Sequence, residues 1–74
     1  MNPNEAAKLV VKKYPGRIPT GYWIRGDAVI INTRRLGVST GIPAPAQFVV
    51  KRDGNVYGIT PMGYDISLSD MLRF

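Results

Sequence analysis

The sequence contains neither cysteine nor histidine among its 74 residues. Without cysteine, no disulfide and no thiolate metal site can hold together a chain that lies near the lower size limit for independent folding. Without histidine, the commonest general base and the commonest metal ligand are both missing, which removes most zinc sites and catalytic triads. We therefore predict that the protein is not an enzyme and that it holds no metal and no cofactor.

A long apolar run is also lacking. The first ten residues, MNPNEAAKLV, carry charge and no extended apolar segment, so they match neither a secretory signal nor a membrane-spanning helix. A chain of this length buries only about 60% of its unfolded surface, which supports one core. We expect a single domain over residues 1–74, located in the cytoplasm and without a membrane partner.

The residues present at the start of the chain predict a helix. Asn2 is suited to the N-cap, Pro3 to the first helical position, and Glu5 follows three residues after the cap. Pro15 disfavours helical geometry in the residue before it, so the helix is expected to end near Tyr14. Its apolar residues form two adjacent stripes, wide enough to pack across a sheet: Ala6, Leu9 and Val10 in one, and Ala7, Val11 and Tyr14 in the other.

Two later segments predict hairpins. In TGYWIRGDAVIINTRR, aromatic and β-branched residues flank Arg25-Gly26-Asp27, which has the composition of a turn. In AQFVVKRDGNVYGITP, a two-residue type I′ turn at Asp53-Gly54 would pair Val50 with Tyr57 and Phe48 with Ile59. That register places all four apolar partners on the core face. The other face, which carries Val49 and Lys51, is expected to be only partly apolar and open to water.

The remaining segments predict a loop and a second helix. LGVSTGIPAPA, residues 36–46, lacks usable periodicity and its prolines exclude a central strand, so an exposed connection is expected. SLSDMLRF predicts a short terminal helix capped by Ser67 with Asp70 three residues later, and with Leu68, Met71 and Leu72 turned inward. The order predicts an α+β domain, in which the N-terminal helix packs on an antiparallel sheet of about four strands, built from two hairpins.

Several short motifs have a structural explanation beside a functional one. The tripeptide at residues 25–27 is known from integrin ligands, but a tight hairpin turn requires glycine at this place anyway. GVSTG resembles a phosphate loop, yet it lacks the lysine and the following helix that such loops use. The aspartates are scattered along the chain and indicate no pair for acid and base catalysis.

The distribution of charge is more informative. Ten Lys and Arg residues against five acidic residues give a net charge of +5, and seven of the ten lie between Lys8 and Arg35, where Asp27 is the only acid. This bias favours acidic partners. Basic side chains near the helix end and the second strand could bind phosphate, while neighbouring aromatic rings stack on bases. The alternative is a solvated surface around a core that needs its aromatic residues. The candidate binding residues are Lys12, Lys13, Arg17, Tyr22, Trp23, Arg34 and Arg35.

Tyr22 and Trp23 are adjacent in a predicted strand, so their side chains point to opposite faces. At most one of the two rings should therefore belong to the core. The other remains a candidate for contact with a ligand.

The second half of the chain resembles a known family. PAQFVVKRDGNVYGITPMGYDISLSDMLRF is similar to the C-terminal half of small bacterial immunity-type proteins of the YrhB-like family, in which an apolar strand, an Asp-Gly turn, a strand ending near Pro and a short final helix recur. The helix followed by a hairpin is also similar to PepSY-type domains. Both resemblances imply a protein that binds or inhibits another protein.

Two hypotheses from different classes follow. The first is a small cytoplasmic protein-binding module, an immunity protein or an inhibitor of a toxin or enzyme, encoded by a bacterial or phage mobile element and binding through the sheet face or the loop at residues 36–45. The second is a small basic nucleic-acid-binding protein. An exposed strand edge on so small a sheet would also allow a homodimer through strand pairing.

Overall fold

One helix and a five-stranded antiparallel sheet form the described part of the computed structural model, which covers residues 1–35, 47–59 and 64–74. The strand order across the sheet is β4-β3-β2-β1-β5. The predicted α+β class is confirmed, with five strands where about four were expected. The element bounds are α1 Pro3–Lys13, β1 Arg17–Arg25, β2 Ala28–Arg35, β3 Gln47–Val50, β4 Val56–Ile59 and β5 Leu72–Arg73.

Helix α1 begins and ends where the sequence predicts. The Oδ1 atom of Asn2 accepts the backbone N–H of Glu5 at 2.8 Å. At the other end Tyr14 is the C-cap, and its N–H donates to the Val10 carbonyl at 2.7 Å. Ala6 and Val10 are fully buried against the sheet, so the helix packs through one stripe of small and β-branched side chains.

Both faces of the sheet are covered. Under α1, a core forms from alternate residues of β2, β3 and β4: Val29, Ile31, Phe48, Val50 and Val56. On the opposite face, residues 64–74 cover a second core that consists of Trp23, Ala28, Ile30 and Val49, with Tyr64, Ile66 and Met71 packed against it. The prediction that this second face is open to water was wrong, because the C-terminal segment lies over it.

The register of the second hairpin differs from the predicted one by one residue. Val50 pairs with Val56 and Val49 with Tyr57. The Lys51 N–H donates to the Asn55 carbonyl, so residues 52–54 form a three-residue loop. The Gly54 N–H donates to the Lys51 carbonyl, and Gly54 has a φ of 86° while Asp53 has a negative φ. This is a type I turn followed by a left-handed glycine, which forms a bulge.

The shifted register exchanges the two faces of β4. Val56 is 6% exposed and belongs to the core beneath α1, whereas the Tyr57 side chain is 48% exposed. The predicted burial of Tyr57 was therefore wrong. Because side chains alternate along a strand, one extra loop residue is enough to move every residue of β4 to the other face.

The first hairpin agrees with its prediction. Arg25 pairs with Ala28, so Gly26 and Asp27 form a two-residue loop. Gly26 has a φ of 61° and Asp27 does not have a positive φ, as in a type II′ turn. The tripeptide at residues 25–27 is thus accounted for by the turn.

The C-terminal segment is not the predicted helix. Leu68–Asp70 form a single 3-10 turn, after which the chain extends into β5 beside β1. Met71 faces inward, but Leu68 is 66% exposed and Leu72 is 52% exposed. Pairing of Leu72 with Tyr22 supplies backbone hydrogen bonds that a helix of one or two turns would have to replace.

In the ranges described above, no helix has the length and apolar character needed to cross a membrane.

Candidate functional site

The three predicted arginines lie where β1 begins and β2 ends. Arg17 and Arg35 are direct cross-strand partners on β1 and β2, so their side chains leave the same face. Arg34 pairs with Ile18 and lies on the opposite face. These three arginines therefore share one end of the sheet but not one face.

Lys13 reaches the second hairpin. Its Nζ atom donates to the Val56 carbonyl at 3.0 Å. Lys12 lies beside Lys13 along a groove next to this hairpin. The Arg17 N–H donates to the Tyr14 carbonyl at 3.1 Å, so the backbone of Arg17 stays close to the end of α1. A common binding surface of the five basic residues stays a prediction.

Trp23 belongs to the core. Its side chain is 2% exposed, and its indole N–H donates to the Ser67 carbonyl at 2.9 Å and to Asp70 Oδ1 at 2.8 Å. The ring is therefore not accessible to a nucleic-acid base. As expected, at most one ring of the adjacent pair is fully buried. Tyr22 is half-buried on the other face, where it packs against the core beneath α1 and its ring centroid lies 5.0 Å from that of Phe74.

Asp70 joins the C-terminal segment to β1. Besides the indole of Trp23, it accepts a hydrogen bond from Arg25 Nη2 at 3.0 Å and one from the Ser67 N–H at 3.2 Å. The Ser67 N–H first, and then the contacts from Trp23 and Arg25, hold the pKa of the Asp70 carboxyl below its ordinary value. Arg25 also donates to the Asp65 carbonyl. The guanidinium is thus occupied within the protein.

Asp53 has a structural role as well. It accepts the Asn55 N–H at 2.9 Å, and this bond lowers the pKa of its carboxyl. Among the described residues, no three carboxylates come close enough to hold a metal ion. A polar chain is buried beside β2, in which Gln47 donates to Asn32 and Asn32 donates to Thr20.

Half-exposed apolar side chains gather where β1 and β5 pair. Ile24 and Leu72 are each 52% exposed and Phe74 is 49% exposed. Leu72 is the cross-strand partner of Tyr22, whose ring contacts Phe74, and Ile24 follows two residues later on the same face of β1. We call Tyr22, Ile24, Leu72 and Phe74 the β1–β5 apolar cluster.

Sequence reasoning missed this cluster because it assigned Leu72 to the inward side of a helix. One signal was present. Tyr22 and Ile24 alternate with Trp23, so this strand carries apolar residues on both faces. A single helix of eleven residues is only about 10 Å wide, so it leaves part of a sheet face uncovered.

Strand β4 forms the other edge of the sheet. Lys51 donates its N–H to the Asn55 carbonyl, which makes Lys51 and Asn55 a hydrogen-bonded pair. Because such pairs alternate along an antiparallel ladder, the backbone groups of Val56 and Gly58 point away from β3. The Tyr57 ring lies on this edge, 5.9 Å from the Lys51 Nζ atom.

Comparison with protein-family models, with curated proteins and with solved structures found no match. The resemblance to YrhB-like immunity proteins and to PepSY-type domains stays a prediction. The GVSTG motif and the binding loop predicted at residues 36–45 lie outside the described residues.

Proposed function

We propose that this chain is a protein-binding module without catalytic activity, and that the β1–β5 apolar cluster is its binding surface. The observation that carries the proposal is the exposure of three neighbouring side chains, Ile24, Leu72 and Phe74, each about half accessible to solvent. Scattered apolar residues on a surface need no explanation, but a contiguous group is typical of an interaction site.

The chemistry of the cluster suits a protein partner. Aromatic side chains are the commonest anchors of protein interfaces, and Tyr22 and Phe74 already hold each other in place through their ring contact. A partner that covered Leu72 and Ile24 would remove apolar area from water at about 25 cal/mol per Å². The cluster lies on the face that packs on α1, beside the β1–β5 edge, where Ile24 and Leu72 are left about half exposed.

The narrower hypothesis is an immunity protein or an inhibitor of a toxin or enzyme, from a bacterial or phage mobile element. It is supported by the lack of histidine and cysteine and by the resemblance of the second hairpin and C-terminal segment to such proteins. A cytoplasmic location belongs to the same hypothesis.

Affinity capture from cells that encode the chain tests the proposal. Wild type should retain a protein partner that the double variant Ile24→Ser, Leu72→Ser loses. Leu68→Ser is the matched control, because it also removes an exposed aliphatic side chain but lies outside the β1–β5 apolar cluster. If the double variant retains the same partner as wild type, the cluster is not the binding surface.

Binding to nucleic acid is a second candidate, favoured by one observation. Arg17 and Arg35 stand directly opposite each other, and neither forms an ion pair with a carboxylate among the described residues. Like charges in this position destabilise a sheet by roughly 0.2–1 kcal/mol. A bound phosphate would relieve that repulsion.

This second candidate predicts contacts with phosphate rather than with bases, because Trp23 is buried and Tyr22 packs on Phe74. Fluorescence anisotropy of labelled single-stranded DNA at low and high salt tests it. The affinity should fall with salt by about 0.7 log units per log unit for each phosphate bound. The variant Arg17→Gln, Arg35→Gln should weaken binding and reduce that slope. Equal binding by this variant would exclude the site.

A further inference from the structure

The outward backbone groups of β4 are only partly satisfied. Val56 and Gly58 present N–H and C=O groups away from β3, and β4 has no further strand beside it among the described residues. An edge of this kind accepts an added strand unless the protein covers it. Within residues 1–35, 47–59 and 64–74, one of these groups has a side-chain partner, the Val56 carbonyl, which accepts a hydrogen bond from the Lys13 Nζ atom at 3.0 Å.

The surfaces above and below this edge differ in chemistry. On the side of α1, Lys12 and Lys13 border a shallow groove of about 340 Å³ that reaches the hairpin turn. On the opposite side, a groove of about 420 Å³ is lined by Val49, Lys51, Tyr57, Ile59 and Tyr64. The first side offers two positive charges beside Leu9 and Val56, whereas the second offers one, on Lys51, beside aliphatic and aromatic side chains.

We propose that the β4 edge binds an extended segment of a partner protein as an added strand, in which acidic residues alternate with apolar ones. The acidic side chains would lie on the α1 side, and the apolar ones in the groove beside Tyr57, because successive side chains of a strand point to opposite faces. The Lys13 ammonium would leave the Val56 carbonyl for a carboxylate of the partner, and a partner N–H would take its place at the carbonyl. This inference rests on the proposed protein-binding function but uses the opposite edge of the sheet.

The lysines beside the β4 edge favour an acidic partner strand over a second copy of the chain. Pairing two β4 edges would bring Lys13 and Lys51 of one copy close to those of the other, and none of the described residues that line the two grooves carries a carboxylate. Repulsion between like charges opposes that pairing. An acidic strand meets the same lysines with opposite charge.

Gly58 offers a matched pair of variants. Its N–H points outward, so Gly58→Pro removes a donor that the added strand needs and leaves the hydrogen bonds to β3 in place. Gly58→Ala keeps the N–H, and an added Cβ meets no atom within 4 Å. Unfolding curves in urea establish that both variants fold.

The probe is a fluorescein-labelled octapeptide in which glutamate alternates with valine, titrated by anisotropy. Wild type and Gly58→Ala should bind it with similar affinity, and Gly58→Pro should bind about tenfold or more weakly. On binding, amide hydrogen exchange at Gly58 should slow. Failure of wild type to bind, or equal binding by Gly58→Pro, would overturn the proposal.

Lys13→Met tests the role of the lysine. Wild type should prefer the glutamate peptide over the same peptide with glutamine, and Lys13→Met should lose that preference while retaining the glutamine peptide. An unchanged preference would show that Lys13 does not meet the carboxylate. Sedimentation without peptide tests whether a second copy of the chain occupies the β4 edge. A dimer that Gly58→Pro abolishes would assign the edge to a second copy and overturn the proposal of an acidic partner strand. Retention of the captured partner by the Ile24→Ser, Leu72→Ser variant would exclude the β1–β5 apolar cluster without changing any of these peptide results, so the two proposals fail separately.

Discussion

The indole N–H of Trp23 on β1 donates to Asp70 Oδ1 at 2.8 Å, across 47 residues of sequence. The same carboxylate accepts Arg25 through its other oxygen, Oδ2. These bonds connect β1 to the only segment that covers the second face of the sheet in the described part of the chain. A buried indole N–H without an acceptor is costly. Asp70 therefore both accepts the Trp23 N–H and holds in place the 64–74 segment that covers the Trp23 ring.

The Asp70 contact predicts a change in the environment of the only tryptophan. Asp70→Ala removes an acceptor of the Trp23 N–H and the partner of Arg25, so the 64–74 segment should loosen and admit water to the ring. We expect the emission maximum to shift to longer wavelength. Asp70→Asn is the control, because its amide oxygen can still accept the indole N–H. An Asp70→Ala spectrum identical to wild type would mean that the contact does not hold the segment.

Acid should destabilise the protein partly through Asp70. Its pKa is held below the ordinary value by the Ser67 N–H first, and then by Trp23 and Arg25. A carboxyl with a lowered pKa in the folded state stabilises the fold above its unfolded pKa of about 4, and this contribution is lost as the pH falls through the folded value. The free energy of unfolding in urea at pH 7 and at pH 3 measures this.

Asp70→Asn supplies the comparison for that experiment, since it does not titrate. We expect the loss of stability between pH 7 and pH 3 to be smaller in Asp70→Asn than in wild type. Asp53, whose pKa is lowered by the Asn55 N–H, titrates in both proteins and cancels from the difference. Equal losses would show that the Asp70 bonds do not stabilise its ionised form.

The register of the second hairpin predicts losses of stability of different size for two adjacent residues. Val56→Ala removes buried methyl groups beneath α1 and should lower the free energy of unfolding by about 2 kcal/mol. Tyr57→Ala removes a larger but half-exposed side chain, and should cost less than about 1 kcal/mol. Chemical denaturation of the two variants measures both values. A larger loss for Tyr57→Ala would restore the two-residue turn and reverse the faces of β4.

Gly21 allows β5 to approach β1. A Cβ added at Gly21 would lie 2.8 Å from the Leu72 carbonyl oxygen and 2.5 Å from Met71 Sδ, closer than such atoms normally approach. Gly21→Ala should therefore displace β5 and raise the amide exchange rates of Leu72 and Arg73. Gly16→Ala, where an added Cβ meets no atom within 4 Å, should leave them unchanged. Exchange in Gly21→Ala at the wild-type rate would contradict the placement of β5.

Local signals predicted the fold well where the chain carries its own start and stop residues. Asn2, Pro3 and Tyr14 determine the ends of α1 through caps formed by neighbouring residues, and Gly26 determines a turn by its φ. The register at Gly54 could not be read in the same way, because Asp-Gly occurs both in a two-residue turn and in a three-residue loop with a bulge.

Features that depend on distant partners were not predictable. The position of Asp70 follows from hydrogen bonds with Trp23 and Arg25, more than forty residues earlier. Those bonds and the pairing of β5 replaced the predicted terminal helix. The β1–β5 apolar cluster followed from the same change, because it requires Leu72 to lie beside Tyr22.

Hydrogen–deuterium exchange of the chain with its captured protein partner tests the central claim most directly. If the β1–β5 apolar cluster is the binding surface, the partner should slow exchange in Leu72–Arg73 and in the part of β1 around Ile24. Protection confined to the strand ends at Arg17 and Arg35 would contradict a protein-binding module that uses this cluster. Exchange that nucleic acid slows and protein does not would contradict it as well.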